Sequence, residues 1–419
     1  MLEPQGTALF LLLMAVFGGL LWWVIVARQV VFRVLAACLA FVPAMLFGVA
    51  AVNKYYDYYQ SWGAVATDLT NRGVQKIPAA HDLVGSSATA FAKVLGQSID
   101  VKEAAQSGFL FETQVTGARS GVIRQMYVFL PPQYFRQAYA SYRFPVIELL
   151  HGSPGDPQAW ISVMNVVPTL DSLIASNKAN PVVLVIPDAD GGLRYSLQCL
   201  NQVGGIQDAT FLVDDIPGYI ASHLRVQSPG KAWGIAGYSE GGFCAANLSL
   251  QNPDRFGYAG VLSGYFTPLN NRVGNPPHPV DPFAGRPGLR LRNTPQKYVT
   301  TLPPNAQIPL FWLAAGRRDP ADVLLATSFR QLLRQRQADI PLLIVPNGAH
   351  DATVWRASLP PMLGWMTSGL AYQALLANAA LATRQPGARI VPSPAVPTPG
   401  SHGSPAGTLI LPGPQPSRG

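Results

Sequence analysis

Residues 232–251 read AWGIAGYSEGGFCAANLSLQ, and this stretch contains the pattern that decides the fold. The apolar run Ala232–Ala236 is typical of a buried strand, and Gly242–Gln251 is typical of a helix. Between them lies G-x-S-x-G, whose glycines allow a turn too tight for side chains and expose the hydroxyl of Ser239 above the sheet. A strand, a sharp turn and a helix in this order predict that Ser239 is a nucleophile rather than an ordinary turn serine.

Similar apolar, β-branched runs recur along the chain with helical stretches between them. The predicted strands are Val122–Leu130, Pro145–Leu150, Val182–Ile186, Ala232–Ala236, Tyr258–Leu262, Pro309–Ala315 and Ile340–Val345. The predicted helices include Ala209–Leu224, Gly242–Gln251 and Ala321–Gln335. This alternation predicts an α/β fold, a mostly parallel sheet with helices on both faces. Such sheets bind ligands at the carboxyl ends of their strands.

Two side chains downstream can complete a proton relay with the serine. A serine hydroxyl needs a base to take its proton, and His350 directly follows the last predicted strand. The base in turn needs an anion that holds its tautomer. Asp319, which follows the strand Pro309–Ala315, is the predicted acid. Asp322 competes for this role, but its position is also typical of a first-turn helix residue, which the helix dipole favours.

Acyl transfer also needs N–H donors that face the developing oxyanion. The first predicted donor is the backbone N–H of Glu240, immediately after the serine. The second is the N–H of Ser153, in the loop that follows the strand Pro145–Leu150. Pro154 has no N–H, so it is excluded. An ordinary glycine-rich turn is the alternative interpretation of this loop. The predicted chemistry requires no metal and no organic cofactor.

The composition argues against nucleic acid as a partner. The formal net charge is +8, but the basic residues are scattered and form no stripe interleaved with aromatic residues. Hydrophobic residues make up 48% and charged residues 12%, a charge deficit that suggests contact with lipid. Of three cysteines, Cys38 lies in an apolar run. Cys199 and Cys244 are either a disulfide or two buried thiols, and an extracytoplasmic domain would favour the disulfide.

Two uncharged runs at the N-terminus predict a membrane anchor. Thr7–Ala27 and Val34–Val52 are each long enough to cross a hydrocarbon core of about 30 Å. A cleaved signal peptide competes for the first run, but only Glu3 is charged before it. Arg28 and Arg33 bracket the connecting loop, which the positive-inside rule places in the cytoplasm. Everything after the second run is therefore expected to face outward.

These patterns divide the chain into four segments. Residues 1–55 are the predicted membrane anchor and 56–107 a polar connector. Residues 108–376 are the predicted catalytic domain. Residues 385–419 are rich in proline, glycine and serine, a composition that predicts a disordered tail.

Several motifs resemble the esterase D-like branch of the α/β-hydrolases, which includes the secreted mycolyltransferases of mycobacteria. They are Leu149–Gly152, Thr210–Leu212, Ile216–Pro217, Gly237–Gly241, Asn252–Phe256, Leu262–Gly264 and His350. The resemblance covers roughly residues 109–370 and implies the α/β-hydrolase fold, with the chain order serine, acid, histidine. It also implies a lidless hydrolase of carboxylic esters in an envelope setting.

The expected function is therefore a membrane-anchored, extracytoplasmic serine esterase acting on an ester-containing small molecule, lipid or glycolipid. One alternative is an acyltransferase that passes the acyl group to a sugar or lipid hydroxyl. His151, which replaces an acidic residue of the mycolyltransferases, and the early position of Asp319 distinguish this chain from that group. The other alternative is a catalytically silent membrane scaffold.

Overall fold

The computed structural model describes residues 2–70, 75–76, 99–192, 196–269, 280–336, 339–384 and 408–410. The chain divides into two compact units. The first consists of Met1–Arg72 with Asp351–Thr353, and the second of Gly73–His350 with Val354–Gly419. Among the described residues the helices are α1 Thr7–Val26, α2 Val30–Tyr56, α3 Trp62–Thr70, α4 Val101–Ser107, α5 Ala159–Ser162, α6 Val166–Ala175, α7 Asp208–Thr210, α8 Ile216–His223, α9 Glu240–Gln251, α10 Pro287–Arg292, α11 Pro295–Tyr298, α12 Pro320–Arg334 and α13 Ala352–Arg384.

The first unit is built on the two apolar helices α1 and α2. Both are long enough and apolar enough to span a membrane, a test of length and composition that a signal sequence can also meet. They pack against each other, with the rings of Phe10 and Phe47 in an edge contact at 5.2 Å. Most of their large apolar side chains are nevertheless exposed. The second helix is longer than the predicted run, because it begins at Val30 and ends at Tyr56.

The second unit contains one large, mostly parallel sheet. Its strands are β1 Gln75–Lys76, β2 Phe109–Thr116, β3 Ile123–Leu130, β4 Val146–Leu150, β5 Val183–Pro187, β6 Gly230–Tyr238, β7 Phe256–Leu262, β8 Leu310–Gly316, β9 Leu342–Val345 and β10 Thr408–Ile410. Their order is β1-β2-β3-β5-β4-β6-β7-β8-β9-β10. The pairs β2–β3 and β3–β5 are antiparallel, and the other pairs are parallel.

The predicted α/β fold is confirmed, and the predicted strands correspond to β3–β9. The central strands β4 and β5 are buried at every position, as expected when helices cover both faces of a parallel sheet. The strands β4, β6, β8 and β9 run parallel, so their carboxyl ends meet at one edge of the sheet. The predicted catalytic residues Ser239, Asp319 and His350 follow strands at this edge, and so does Ser153, while Glu240 begins the helix directly after the serine.

Helices and short strands lie inside the predicted connector and tail, and α13 crosses a predicted boundary. Within the predicted connector, α3 and α4 are helical, while residues 71–74 and 77–98 lie outside the described part of the chain. Helix α13 continues to Arg384, beyond the predicted domain end at residue 376. In the tail predicted to be disordered, Thr408–Ile410 pair with β9, and the remaining residues of 385–419 lie outside the described residues.

Candidate active site

The predicted turn around Ser239 is present and tight. Ser239 has φ 55° and ψ −119°, a positive φ that is uncommon for a residue other than glycine. A Cβ added at Gly237 would lie 2.1 Å from the carbonyl oxygen of Gly241, and one at Gly241 would lie 2.2 Å from that of Leu150. Only glycine therefore fits at either position. Helix α9 begins at Glu240, directly after the serine.

His350 connects Ser239 to a carboxylate through both ring nitrogens. Its Nε2 lies 2.9 Å from the hydroxyl oxygen of Ser239. Its Nδ1 lies 2.8 Å from a carboxylate oxygen of Asp322. These are normal hydrogen-bond distances, so a proton can pass from the serine to a histidine whose tautomer the carboxylate fixes. The serine follows β6 and the histidine follows β9, as the sequence predicted.

The carboxylate bonded to His350 belongs to Asp322, so the prediction that Asp319 is this partner is wrong in this structure. Asp319 instead caps α12, because its side chain accepts hydrogen bonds from the N–H groups of Ala321 and Asp322 at 3.0 and 3.1 Å. Pro320 is the first residue of this helix. An aspartate directly before a helix-starting proline is a recognised N-cap pattern, and that signal could have assigned the two carboxylates correctly.

Asp319, Asp322 and His350 also bring one ligand atom each within 4.8 Å of one another, a spacing compatible with a metal ion. Both ring nitrogens of His350 already have hydrogen-bond partners, however. To bind a cation, the histidine would have to lose its bond to the serine or to the carboxylate. The three side chains therefore fit a proton relay better than a metal site.

The loop after β4 approaches the serine closely, as the oxyanion prediction requires. A Cβ added at Gly152 would lie 3.1 Å from the Cβ of Ser239. Ser153 follows in the same loop. On the other side of the serine, Glu240 is the first residue of α9, and the first N–H groups of a helix have no partner within that helix. The two predicted donors therefore belong to segments on either side of the serine, and their role stays a prediction.

Sequence reasoning did not find the buried polar groups that support these two segments. The Nε2 of buried His151 accepts a hydrogen bond from the N–H of Ala189 at 3.0 Å. Its Nδ1 therefore carries the proton, which it donates to the carbonyl oxygen of Gly152 at 2.9 Å. The side chain of Glu240 accepts from the hydroxyl of Ser196 at 2.6 Å. These contacts join residues distant in sequence, so no local pattern reveals them.

A disulfide fastens the same region. Cys199 and Cys244 are bonded, with their Cα atoms 5.6 Å apart. Of the two possibilities that the sequence left open, the structure contains the disulfide. Cys38 is exposed on α2 and has no disulfide partner.

An aromatic cluster lies beside the relay. The ring of Trp355 is in edge contact with His350 at 5.9 Å and is stacked on Tyr238 at 4.4 Å. Trp160, in the helix that follows the β4 loop, packs edge-on against Tyr238 at 5.2 Å. All three aromatic side chains are buried. They give the relay an apolar wall that supports the ring of the histidine.

A family comparison agrees with this geometry. The model of a family described as putative esterase matches residues 119–366, which is more than half of the chain. The match includes the serine, the histidine and both aspartates of the site. The family resemblance proposed from the motifs is therefore confirmed.

Several relatives match parts of the chain or most of it. An uncharacterized protein of Corynebacterium glutamicum is 24% identical over 344 residues, which cover 80% of this chain and 76% of that protein. The MPT51/MPB51 antigen of Mycobacterium tuberculosis is 32% identical over 116 residues, or 27% of this chain and 35% of the antigen. An endo-1,4-beta-xylanase/feruloyl esterase of Xylanibacter ruminicola is 27% identical over 152 residues, 35% of this chain and 20% of that protein.

Solved structures share the fold of a large part of the chain. A ferulic acid esterase superposes with a TM-score of 0.53 at 22% identity, covering 63% of this chain and 99% of that esterase. An S-formylglutathione hydrolase from Agrobacterium tumefaciens superposes with a TM-score of 0.51 at 15% identity, covering 63% and 96%. The chain belongs to the putative esterase family and is a serine hydrolase with the α/β-hydrolase fold.

Proposed function

We propose that the protein hydrolyses carboxylic esters through an acyl-enzyme formed on Ser239. His350 takes the proton of the serine hydroxyl as the oxygen attacks the ester carbonyl, and then gives this proton to the leaving alcohol. Asp322 holds the ring of His350 and stabilises its charged form. A water molecule, deprotonated by the same histidine, then attacks the acyl-enzyme and releases the acid. The bonds that connect the serine, His350 and Asp322 carry this proposal.

In this proposal the N–H groups of Ser153 and Glu240 bind the oxyanion. The close approach of Gly152 to Ser239 and the start of α9 at Glu240 support the assignment. Donors fixed before the reaction lower the barrier because they need no reorganisation when charge develops. Neither a metal nor an organic cofactor takes part.

We further propose that α1 and α2 anchor the protein in a membrane and that the catalytic unit faces outward. Their length, their composition and their exposed apolar side chains support the anchor. Two observations support the orientation. Arg28 lies in the short connection between the helices and Arg33 in the first turn of α2, positions that favour the cytoplasm for this end of the pair. The disulfide between Cys199 and Cys244 favours an oxidising compartment.

Hydrolysis of a short-chain p-nitrophenyl ester by the full-length chain in detergent tests this function. Ser239→Ala and His350→Ala should each lower kcat by roughly three orders of magnitude or more, with KM little changed. A folded wild type with no activity on short or long acyl chains would contradict the proposal. That result would favour the catalytically silent scaffold. None of the contacts described in the site supports that alternative.

An acyltransferase would use the same acyl-enzyme but a sugar or lipid hydroxyl as acceptor. The resemblance of the chain's motifs to those of the mycolyltransferases supports this second function. Product analysis with and without trehalose or glycerol separates the two reactions. A transferase would form the new ester at the expense of the free acid, whereas a hydrolase would release the same amount of acid in both cases.

A further inference from the structure

Asp190 and Glu240 form a buried carboxyl pair that the proposed reaction does not use. Asp190 lies in the loop after β5, Glu240 starts α9, and only 2% and 6% of their surfaces are exposed. Asp190 accepts from the N–H of Leu197 and Glu240 accepts from the N–H of the next residue, so the two carboxyl groups lie near each other. Two carboxyl groups this close in a buried site cannot both ionise readily, because their like charges repel each other. The pair therefore holds one proton and one negative charge.

The pair also holds the segment 196–198 against the start of α9. One carboxylate oxygen of Glu240 accepts from the hydroxyl of Ser196 at 2.6 Å, and the other accepts from the N–H of Gln198 at 3.1 Å. Asp190 accepts from the N–H of Leu197 at 3.0 Å. The two carboxyl groups thus satisfy donors from three consecutive residues, and displacement of either group would leave buried donors without acceptors.

The backbone next to Asp190 is hydrogen bonded to the loop after β4. The N–H of Asp190 donates to the carboxylate of Asp188 at 3.0 Å. Ala189 lies between these two aspartates and donates its N–H to the ring of His151. That ring in turn donates to the carbonyl oxygen of Gly152. Hydrogen bonds, together with the backbone of residues 188–190, therefore connect both segments that carry the proposed oxyanion donors.

The disulfide fastens the same segment one helical turn further along α9. Cys244 lies four residues after Glu240, so both side chains lie on the same face of the helix. Cys199 directly follows the segment that Glu240 holds. Gln198 and Cys199 have φ values of 51° and 50°, which are uncommon for residues other than glycine. A covalent bond and a shared proton together hold this unusual backbone in place.

We propose that Asp190 and Glu240, as a pair that shares one proton, are positioning residues for the oxyanion hole. The pair fixes the start of α9, and with it the N–H of Glu240. Through the adjacent backbone N–H of Ala189, which donates to His151, it also supports the peptide between Gly152 and Ser153. Asp190 acts only through its neighbours and does not touch the substrate. This inference rests on the proposed ester chemistry of Ser239.

A shared proton makes the positioning dependent on pH. Burial, followed by the charge of Glu240, raises the pKa of Asp190 well above its usual range, and burial raises the pKa of Glu240. The pair therefore keeps its proton to a higher pH than an exposed carboxyl group would. In alkaline solution its loss leaves two adjacent anions, which repel each other and loosen the network. The other titratable or charged groups around the pair are His151, Asp188, Asp208 with its partner Arg124, and Tyr265.

The pH profile of kcat in Asp190→Asn tests the proposal. Full-length enzyme in detergent is assayed with a p-nitrophenyl ester from about pH 6 to about pH 10. The wild type should lose kcat on the alkaline side while KM changes little. The asparagine amide can donate to Glu240 and its oxygen can accept from Leu197, but it has no proton to lose in this range. The alkaline decline should therefore disappear in Asp190→Asn.

Asp190→Ala provides the matched comparison, because it removes the bond instead of making it permanent. Its kcat should fall about tenfold or more at every pH, with KM little changed, as expected when a donor is displaced by a fraction of an ångström. Glu240→Gln should likewise retain much more kcat than Glu240→Ala. Substitution of a residue that only stabilises the fold would lower Tm without changing the pH profile of kcat.

Labelling of Ser239 by a fluorophosphonate separates failure of this inference from failure of the proposed function. If the wild type is labelled but Asp190→Asn keeps the wild-type alkaline decline, the role of the pair is overturned and the ester chemistry stands. If the wild type is neither labelled nor active, the proposed function fails, and the role of the pair fails with it.

Discussion

Asp319 and Asp322 lie three residues apart at the start of α12, yet their carboxyl groups have different partners. Asp319 accepts from backbone N–H groups of the helix, and Asp322 accepts from His350. The sequence placed an aspartate after β8 correctly. The prediction that Asp319 is the acid was wrong, because the partner of His350 depends on which side chain turns toward a histidine that follows another strand. At the scale of single residues, the N-cap pattern Asp319-Pro320 identifies Asp319 as the helix cap and leaves Asp322 as the partner of His350.

Asp322→Asn should lower kcat by about three to four orders of magnitude, because asparagine no longer holds the required histidine tautomer. Asp319→Asn is the matched control, since asparagine also caps a helix well. It should leave kcat within a few fold of the wild type. Steady-state kinetics of both variants checks this, and an equal loss in the two variants would contradict the assignment of Asp322.

Glu148 is a second residue whose environment the sequence does not reveal. It lies in the central strand β4, is fully buried, and its two carboxylate oxygens have no hydrogen-bond partner among the described residues. Burial therefore raises its pKa well above the usual value. A carboxyl group kept neutral in this way is stable in the folded protein only while it keeps its proton.

The stability of the wild type should therefore depend on pH through Glu148. The unfolded chain releases this proton near pH 4.5, but the folded chain does not. The contribution of Glu148 to the free energy of unfolding is therefore complete below that pH. It is lost as the pH rises toward the higher pKa of the folded state. Glu148→Gln should reduce this dependence of stability on pH. Glu148→Met should increase the free energy of unfolding at pH 8 by on the order of 1–3 kcal/mol, which raises Tm by a few degrees. Equal pH slopes of Tm in wild type and Glu148→Gln would contradict this account.

At the scale of elements, the strands with continuous apolar runs were predictable and the others were not. The strands β3 to β9 follow from such runs because a parallel sheet covered on both faces needs them. The strand β2 was missed because its sequence, FLFETQVT, mixes polar residues into an edge region of the sheet. The short strands β1 and β10 have two and three residues, too few for a periodic signal. They arise from pairing with distant strands, which a local pattern cannot show.

The disulfide belongs to this scale because it joins a loop to α9. Its partners are 45 residues apart in sequence, and closing a loop of that length is expected to stabilise the fold by about 4 kcal/mol. The double variant Cys199→Ala/Cys244→Ala should therefore show a clearly lower Tm than the wild type. Reduction of the wild type should give the same decrease, and should not change Tm of the double variant. An unchanged Tm in both experiments would show that this link does not constrain the loop.

At the scale of the whole molecule, an apolar helical pair and a catalytic unit lie in one chain. The two helices were predictable from hydropathy alone, because a long uncharged run needs no tertiary information. Their exposed surface includes Trp22, Ile25, Phe41 and Val49, which water would not favour. The account therefore predicts that the full-length chain stays in the membrane fraction after alkaline carbonate washing. A variant that lacks residues 1–56 should leave that fraction.

Orientation can be measured with a fluorophosphonate that does not cross membranes. If the catalytic unit faces outward, intact cells whose outer barrier admits the reagent should label Ser239 as strongly as lysed cells. Ser239→Ala should remain unlabelled in both preparations. Labelling that appears only after lysis would contradict the outward orientation, and recovery of the wild type in the soluble fraction would contradict the anchor.

The most direct test of the central claim is identification of the residue that a fluorophosphonate modifies in the purified full-length protein. The account predicts one phosphonylated residue, Ser239, found by peptide mass mapping. It also predicts much slower modification in His350→Ala and Asp322→Asn, and a rate near that of the wild type in Asp319→Asn. An unmodified Ser239 in the folded wild type, or modification at an unchanged rate without His350, would contradict the claim that this relay activates the serine.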